Sequence, residues 1–328
     1  MKSENPTGSA PDLTAPFIWF GGKRRVALWV WEALGDVDNY VEPFAGSLAV
    51  ALGRPSWHTG RTETVNDIDM YIANFWRAVQ LQPEAVAFWA DWPVNETDLF
   101  ARHLWLVNEG RRQLVEGLEA DPDWCDPKIA GWWVWGINSW IGSGWCSGEG
   151  PWRAGNAGQG INRKLPHLGA GRGINRQLSD GITEYMERLA ARLRGVRVCC
   201  GDWRRVVTDG ALSYGATVGV FLDPPYGDVR TRDLYSHDDL TLAARVAQWC
   251  REREGDDRLR IVLCGYEGEH DLPGWEVLAY SASAAYQNSA GGGENERNRH
   301  MERLWLSPSI ARSRPRQGAM LPGFEVAS

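Results

Sequence analysis

The chain has 328 residues, 43% of them hydrophobic, with a net charge of −7, which is enough apolar material for one large globular domain or two smaller ones. No run of about 18 uncharged apolar residues and no basic-then-apolar amino terminus occurs, so neither a membrane span nor a secretory signal is expected, and a cytoplasmic setting follows. Six cysteines without a CxxC pair or accompanying histidine spacing argue against a zinc site and a disulfide framework, leaving reduced thiols.

Residues 1–14, rich in Ser, Pro, Gly and Thr, read as a disordered tail. From Phe17 to Gln80 the pattern is α/β: a glycine turn, a helix over Arg25 to Leu34, a short strand at Tyr40 to Pro43, a helix after Gly46, a strand at Thr64-Val65 and a helix from Met70. Residues 81–194 differ. They open with helical periodicity, become rich in tryptophan and glycine between Gly131 and Trp145, and pass into a basic tract carrying Arg153, Arg163, Lys164, Arg172 and Arg176 with no acid between them. That tract repeats Gly-Ile-Asn-Arg at Gly160 to Arg163 and Gly173 to Arg176. The segment reads as an insertion between two halves of one sheet. Arginine and asparagine, Asn175 among them, suit contacts to phosphates and base edges, and the alternative is a solvent-exposed loop with accidental similarity. A local basic surface makes double-stranded DNA a compatible partner despite the negative total. Most of the 19 tryptophans are expected in the core, where large aromatics supply buried area.

From residue 195 the α/β pattern resumes, with strands at Val196 to Cys200, Val218 to Leu222, Ile261 to Cys264, Trp275 to Tyr280 and Arg303 to Leu306, and a helix over Leu240 to Arg253. Residues 309–328 lack apolar periodicity and read as a second tail. The strand Val218 to Leu222 runs directly into Asp223-Pro224-Pro225-Tyr226. Two prolines end a ladder, because proline donates no hydrogen bond and restricts the residue before it, so the chain leaves the sheet as a stiff loop. In open α/β sheets ligands bind at the carboxyl ends of strands, which makes this loop the expected wall of an active site.

Four more motifs stand in order with it: Phe17-Ile18-Trp19-Phe20-Gly21-Gly22-Lys23, Val41-Glu42-Pro43-Phe44-Ala45-Gly46-Ser47, Val65-Asn66-Asp67 and Cys200-Gly201-Asp202-Trp203. Together they resemble the Dam-like (alpha-group) AdoMet-dependent DNA adenine N6-methyltransferases over about Phe17 to Pro308, and Glu302 to Ser307 is similar to the closing strand of phage-encoded members. The resemblance implies a Rossmann-like methyltransferase fold with a mixed, mostly parallel sheet. Residues 15–80 and 195–308 would form its AdoMet-binding catalytic domain, and 81–194 an inserted target-recognition region using Arg153, Arg163, Lys164, Arg172, Asn175 and Arg176. The chain would act in a bacterial host cell as a monomer or weak dimer, without metal.

Individual roles follow from the same resemblance. Trp19, Gly21, Gly22 and Lys23 would form a cofactor-contacting loop, and Glu42, Phe44, Ala45 and Gly46 a turn that offers backbone N–H groups to AdoMet. Asp67 stands about 20 residues on, where an acid accepts ribose hydroxyls. Asp202 would accept the adenine amino group of AdoMet, with Trp203 packed on the ring; plain helix caps are the alternative for both acids. Asp223 and the Pro224 carbonyl would accept the amino hydrogens of a flipped adenine, supported by Pro225, and Tyr226 would stack on the base. Leu48 replaces a second glycine usual in the family and is expected to narrow the approach to the cofactor; Ile18 replaces a frequent lysine. N4-cytosine methylation, which more often uses serine at Asp223, and a DNA-binding descendant without turnover are the competing readings.

Overall fold

The computed structural model describes residues 13–17, 19, 23, 24, 26–55, 61–121, 123–140, 145, 146, 181–225, 242–279 and 302–313. Seven strands, β1 (Asn39–Glu42), β2 (Thr62–Asp67), β3 (Val196–Cys200), β4 (Val218–Leu222), β5 (Leu259–Tyr266), β6 (Glu276–Ala279) and β7 (Glu302–Leu306), form one sheet in the order β3-β2-β1-β4-β5-β7-β6. The first five in that order are parallel, and β7 runs antiparallel to both β5 and β6. This is the mixed, mostly parallel sheet expected from the sequence. Its strand order reverses between β1 and β4, the place where an open α/β sheet leaves a crevice at the carboxyl ends of its strands.

The helices are α1 (Ala27–Leu34), α2 (Ala49–Leu52), α3 (Met70–Leu81), α4 (Pro83–Ala90), α5 (Glu96–Trp105), α6 (Arg111–Ala120), α7 (Pro127–Ile137), α8 (Ile182–Leu193), α9 (Leu242–Arg253) and α10 (Pro308–Ser313), with a π-turn at Leu106–Gly110 joining α5 to α6. Their starts follow local chemistry. Asp69 accepts from the Tyr71 N–H ahead of α3, Asn95 from Asp98 ahead of α5, and Asp126 from Ile129 ahead of α7, each satisfying a backbone donor that the first turn leaves unpaired.

The central strands are buried on both faces, and alternate residues enter different cores. Tyr40, Phe221 and Val262 join the cluster beneath α1 to α4, α7 and α8, whereas Val41, Val220, Leu222, Ile261 and Leu263 pack with Trp203, Val246 and Trp249. The described helices of residues 81–194 share the first of these cores. Val86, Leu99, Leu114, Ile129, Trp133 and Trp135 all belong to it, so the region is continuous with the sheet's packing rather than built on a core of its own. Trp133 and Trp135 are fully enclosed and Trp140 nearly so, in line with the expectation that most tryptophans are core. Others form stacked cation contacts: Lys128 lies over Trp89, Trp105 and Trp132, and Arg102 over Trp92, Trp132 and Trp135.

The chain returns from this region through α8, which is tied to the sheet by charge. Arg192 grips Glu63 of β2 through two nitrogens at 2.7 and 2.9 Å and donates to the Ala51 carbonyl of α2. Two tail boundaries need correction. Residues 309–313 form the body of α10, with Ile310 and Ser309 buried and the Ser309 hydroxyl donating to the Leu259 carbonyl. At the other end the Thr14 N–H donates to the Tyr185 hydroxyl, which donates in turn to the Thr14 carbonyl. Short segments without periodicity are thus ordered by long-range bonds that sequence patterning does not register.

Candidate active site

Because β1 to β4 are mutually parallel, the residues after each of them meet at one edge of the sheet. Glu42 closes β1 and leads into the turn Pro43 to Leu48; Asp67 ends β2; Gly201 and Asp202 follow β3; Asp223 follows β4. Asn66, which sequence reasoning left without a role, ties these ends together. Its side-chain amide donates to the Pro43 carbonyl at 3.0 Å and to the Gly201 carbonyl at 2.9 Å, and its own carbonyl accepts the Ala45 N–H. A buried asparagine at a strand end must find such partners, and that requirement was the available signal.

The turn after β1 is built around two left-handed residues, Gly46 (φ 47°) and Leu48 (φ 54°, ψ 27°). A side chain on Gly46 would stand 2.7 Å from the Trp19 indole nitrogen, so only glycine lets the indole close over the turn. The Gly46 carbonyl accepts from the Trp76 indole, and its N–H donates to Asp67 at 2.8 Å. Leu48 adopts the conformation for which the family's glycine is suited, yet its side chain is wholly buried in the core beneath the turn. The expectation that it narrows the approach to a ligand is therefore corrected: it points into the protein and leaves the turn's outer side to Trp19.

Asp67 is half-buried and accepts from both the Gly46 and Asp69 N–H groups; burial, reinforced by the charge of Asp69, pushes its carboxyl up to about 7. Glu42 is buried outright. It accepts from the Tyr40 hydroxyl at 2.9 Å and the Ala51 N–H at 3.1 Å, and desolvation outweighs those bonds, taking the carboxyl up to about 8. Asp202 instead stays low, held by Arg204, whose guanidinium and backbone N–H both donate to it at 2.9 Å. It also caps the 3-10 turn Trp203–Val206 while keeping two-fifths of its side chain exposed. Trp203 is buried between Phe44 and Trp249, with ring centroids 5.9 and 6.1 Å away. The tryptophan expected on a cofactor ring is thus mostly enclosed by protein, and Phe44, half-buried, rests on it.

Asp223 is the most exposed acid of the central pair of strands. Its side chain keeps 21% of its surface open, while the Lys23 ammonium 3.1 Å from its Oδ1 keeps only 4%. The carboxylate therefore stays partly open while the buried cation holds one of its oxygens. Pro224 is buried and Pro225 half-buried, anchoring the loop as its two imino acids predict. The structure pairs Lys23, expected in the cofactor-contacting loop, with Asp223, a pairing between residues two hundred positions apart that no local signal announces. Gly21, Gly22, Ile18 and Tyr226 lie outside the described residues, as do Arg153, Arg163, Lys164, Arg172, Asn175 and Arg176.

The Rossmann-like sheet thus carries a glycine turn after its first strand, an acid at the end of its second and an acid-proline-proline loop after its fourth, in the chain order of the sequence motifs. Residues 19–92 match the family of D12 class N6 adenine-specific DNA methyltransferases. This stretch holds Trp19, Lys23, the Gly46 turn and Asp67, four of the positions that the sequence motifs singled out. Among solved structures the chain is similar to the rRNA methyltransferase aviRa from Streptomyces viridochromogenes, at 13% identity and a TM-score of 0.33, over 95% of this chain and 97% of that one. No curated protein matches. No described helix is long and apolar enough to cross a membrane.

Proposed function

We propose that the protein transfers a methyl group from AdoMet to the N6 amino group of an adenine flipped out of double-stranded DNA, within a specific sequence. The observation that carries this reading is the Asp223 carboxylate, open on one side and fixed by Lys23 on the other, at the strand end next to the Gly46 turn. The residues suit the cofactor. Gly46 presents a surface that a Cβ would fill, Asp67 stands beside it, and Asp202 keeps two-fifths of its side chain exposed at the neighbouring strand end. AdoMet held there would supply an electrophilic sulfonium methyl; the amino nitrogen would take it with S-adenosylhomocysteine as leaving group, and the proton the nitrogen then sheds would pass to the Asp223 carboxylate or to water.

What the chain must do is prepare the nitrogen. An exocyclic amino group is a poor nucleophile because its lone pair is delocalised into the ring. With Oδ1 of Asp223 engaged by Lys23, Oδ2 accepts one amino hydrogen and the Pro224 carbonyl the other. The nitrogen is thereby drawn towards tetrahedral geometry with its lone pair directed outward. Fixed acceptors of this kind contribute positioning and preorganised electrostatics, the terms such a transfer depends on. An adenine inside a duplex cannot reach Asp223, hence the flip, and Tyr226 is assigned to stack on the extruded base. The basic tract from Arg153 to Arg176 is assigned to the DNA.

The test is incubation with deuterium-methyl AdoMet and unmethylated DNA, digestion to nucleosides and mass spectrometry. Labelled N6-methyldeoxyadenosine is the expected product, absent with Asp223→Ala. Labelled N4-methyldeoxycytidine overturns the choice of base, and absence of any label while AdoMet binds by calorimetry overturns turnover altogether.

A further inference from the structure

Asp223 has a second neighbour that the sequence motifs do not include. In the β4–β5 ladder Leu222 pairs with Leu263, so the next residues, Asp223 and Cys264, stand side by side at the strand ends with side chains on one face of the sheet. Cys264 is fully buried. Its backbone is held on three sides: β5 lies between β4 and β7, Cys264 pairs with Leu304, and its carbonyl accepts from the buried His270 ring at 3.1 Å. Gly265 permits this, since a Cβ there would meet His270 Nε2 at 2.5 Å. A side chain on such a support has little freedom to choose its partner.

We propose that Cys264 is a positioning residue for the transfer: its thiol donates a hydrogen bond to the Asp223 carboxylate and, together with Lys23, holds that carboxylate in the orientation that accepts the amino hydrogen. The inference rests on Asp223 being the acceptor of the target amino group. Thiol chemistry agrees. Burial and the negative charge of Asp223 keep the Cys264 sulfur protonated, well above the ordinary thiol range, so it stands as a donor and not as a thiolate competing with the acid. The charged and titratable groups around the pair are Lys23, Glu42 and Glu302, with His270 on the backbone side. Lys23 favours the ionised acid, the charge of Glu42 opposes it, and the thiol adds a donor on the favourable side. Cys264 is not a nucleophile in this scheme and forms no bond to substrate.

Three variants separate positioning from packing. Cys264→Ala removes the donor; Cys264→Ser restores one; Cys264→Val fills the space without one. Steady-state kinetics on a methylatable duplex should show Ala and Val lowering kcat about three- to tenfold, the scale of one weak donor to a charged group, with KM for DNA and AdoMet unchanged and the acid limb of the kcat profile moved to higher pH. Serine should recover both. The activity-independent readout is the Asp223 carboxyl carbon followed by 13C NMR in the ligand-free protein, its resonance assigned with Asp223→Asn; in Cys264→Ala its titration should move upward. Wild-type kcat, acid limb and titration in Cys264→Ala overturn the proposal, as does a loss shared equally by Ala and Ser in step with melting temperature. If the wild-type protein labels no adenine, the functional reading fails, and the titration still decides whether the thiol donates to Asp223.

Discussion

Replacing Gly46 by alanine should damage the turn after β1 in two separable ways. Gly46 has φ 47°, so any Cβ incurs the left-handed penalty of about 1–2 kcal/mol. The added methyl would also stand 2.7 and 2.8 Å from two atoms of the Trp19 indole, well inside van der Waals contact, and overpacking of this sort costs about 1–3 kcal/mol. Gly46→Ala is therefore expected to destabilise by about 2–5 kcal/mol in all. Only the second part depends on Trp19, so a double-mutant cycle isolates it. Trp19→Ala alone loses contacts to Phe17 and Trp133, but on the Gly46→Ala background it also relieves the clash. Urea unfolding of the four proteins should give a coupling energy of at least about 1 kcal/mol, with the double variant more stable than the sum of the singles predicts. A coupling within about 0.5 kcal/mol of zero would refute the placement of Trp19 over the turn.

Leu48→Gly and Leu48→Ala should invert the usual order of the two residues. Both leave a cavity costing about 2–5 kcal/mol, but glycine alone relieves the φ of 54°, so it should be at least as stable as alanine by denaturant midpoint. Stability should also fall with rising pH. Glu42 and Asp67 titrate near 8 and 7 in the folded protein against 4.5 and 3.8 unfolded, so the native state binds more protons between those values. Their stabilising effect is complete below the unfolded values and lost as pH rises through the folded ones, with about 3–5 kcal/mol from Glu42 alone. Glu42→Gln should match the wild type near pH 5 and exceed it at pH 9; identical pH slopes for the two proteins would contradict the burial argument. Lys23→Met removes the cation 3.1 Å from Asp223, and the acid limb of methyl transfer should move up by about 1–2 pH units with kcat reduced at least about tenfold. An unmoved limb would show that the pair does not set the state of Asp223.

Much of this protein was readable along its chain. The strand β4 falls where a short apolar run is bounded by turn residues, as expected of a strand buried on both faces, whereas β1 and β2 carry polar residues that find partners inside the fold. The acid-proline-proline loop fixes its own place, since two prolines end a ladder whatever surrounds them. The five ordered motifs pointed to the enzyme class whose family model matches residues 19–92. What sequence did not reveal depends on who stands beside whom. Trp203, read as a ring for a ligand, is buried against Trp249 arriving from α9, a contact that no local pattern announces. Leu48 looked like an obstruction and is buried, because a left-handed backbone turned its side chain inward. Asp202 caps a 3-10 turn through a pairing with Arg204 two residues on, a local bond that the chain order already allowed. Lys23 and Cys264 reach Asp223 from 200 residues before it and 41 after it. Local chemistry determined which residues were able to end strands, cap helices and turn corners; only the parallel stacking of β1, β2, β3, β4 and β5 decided which of those ends would share one edge and so which side chains would meet.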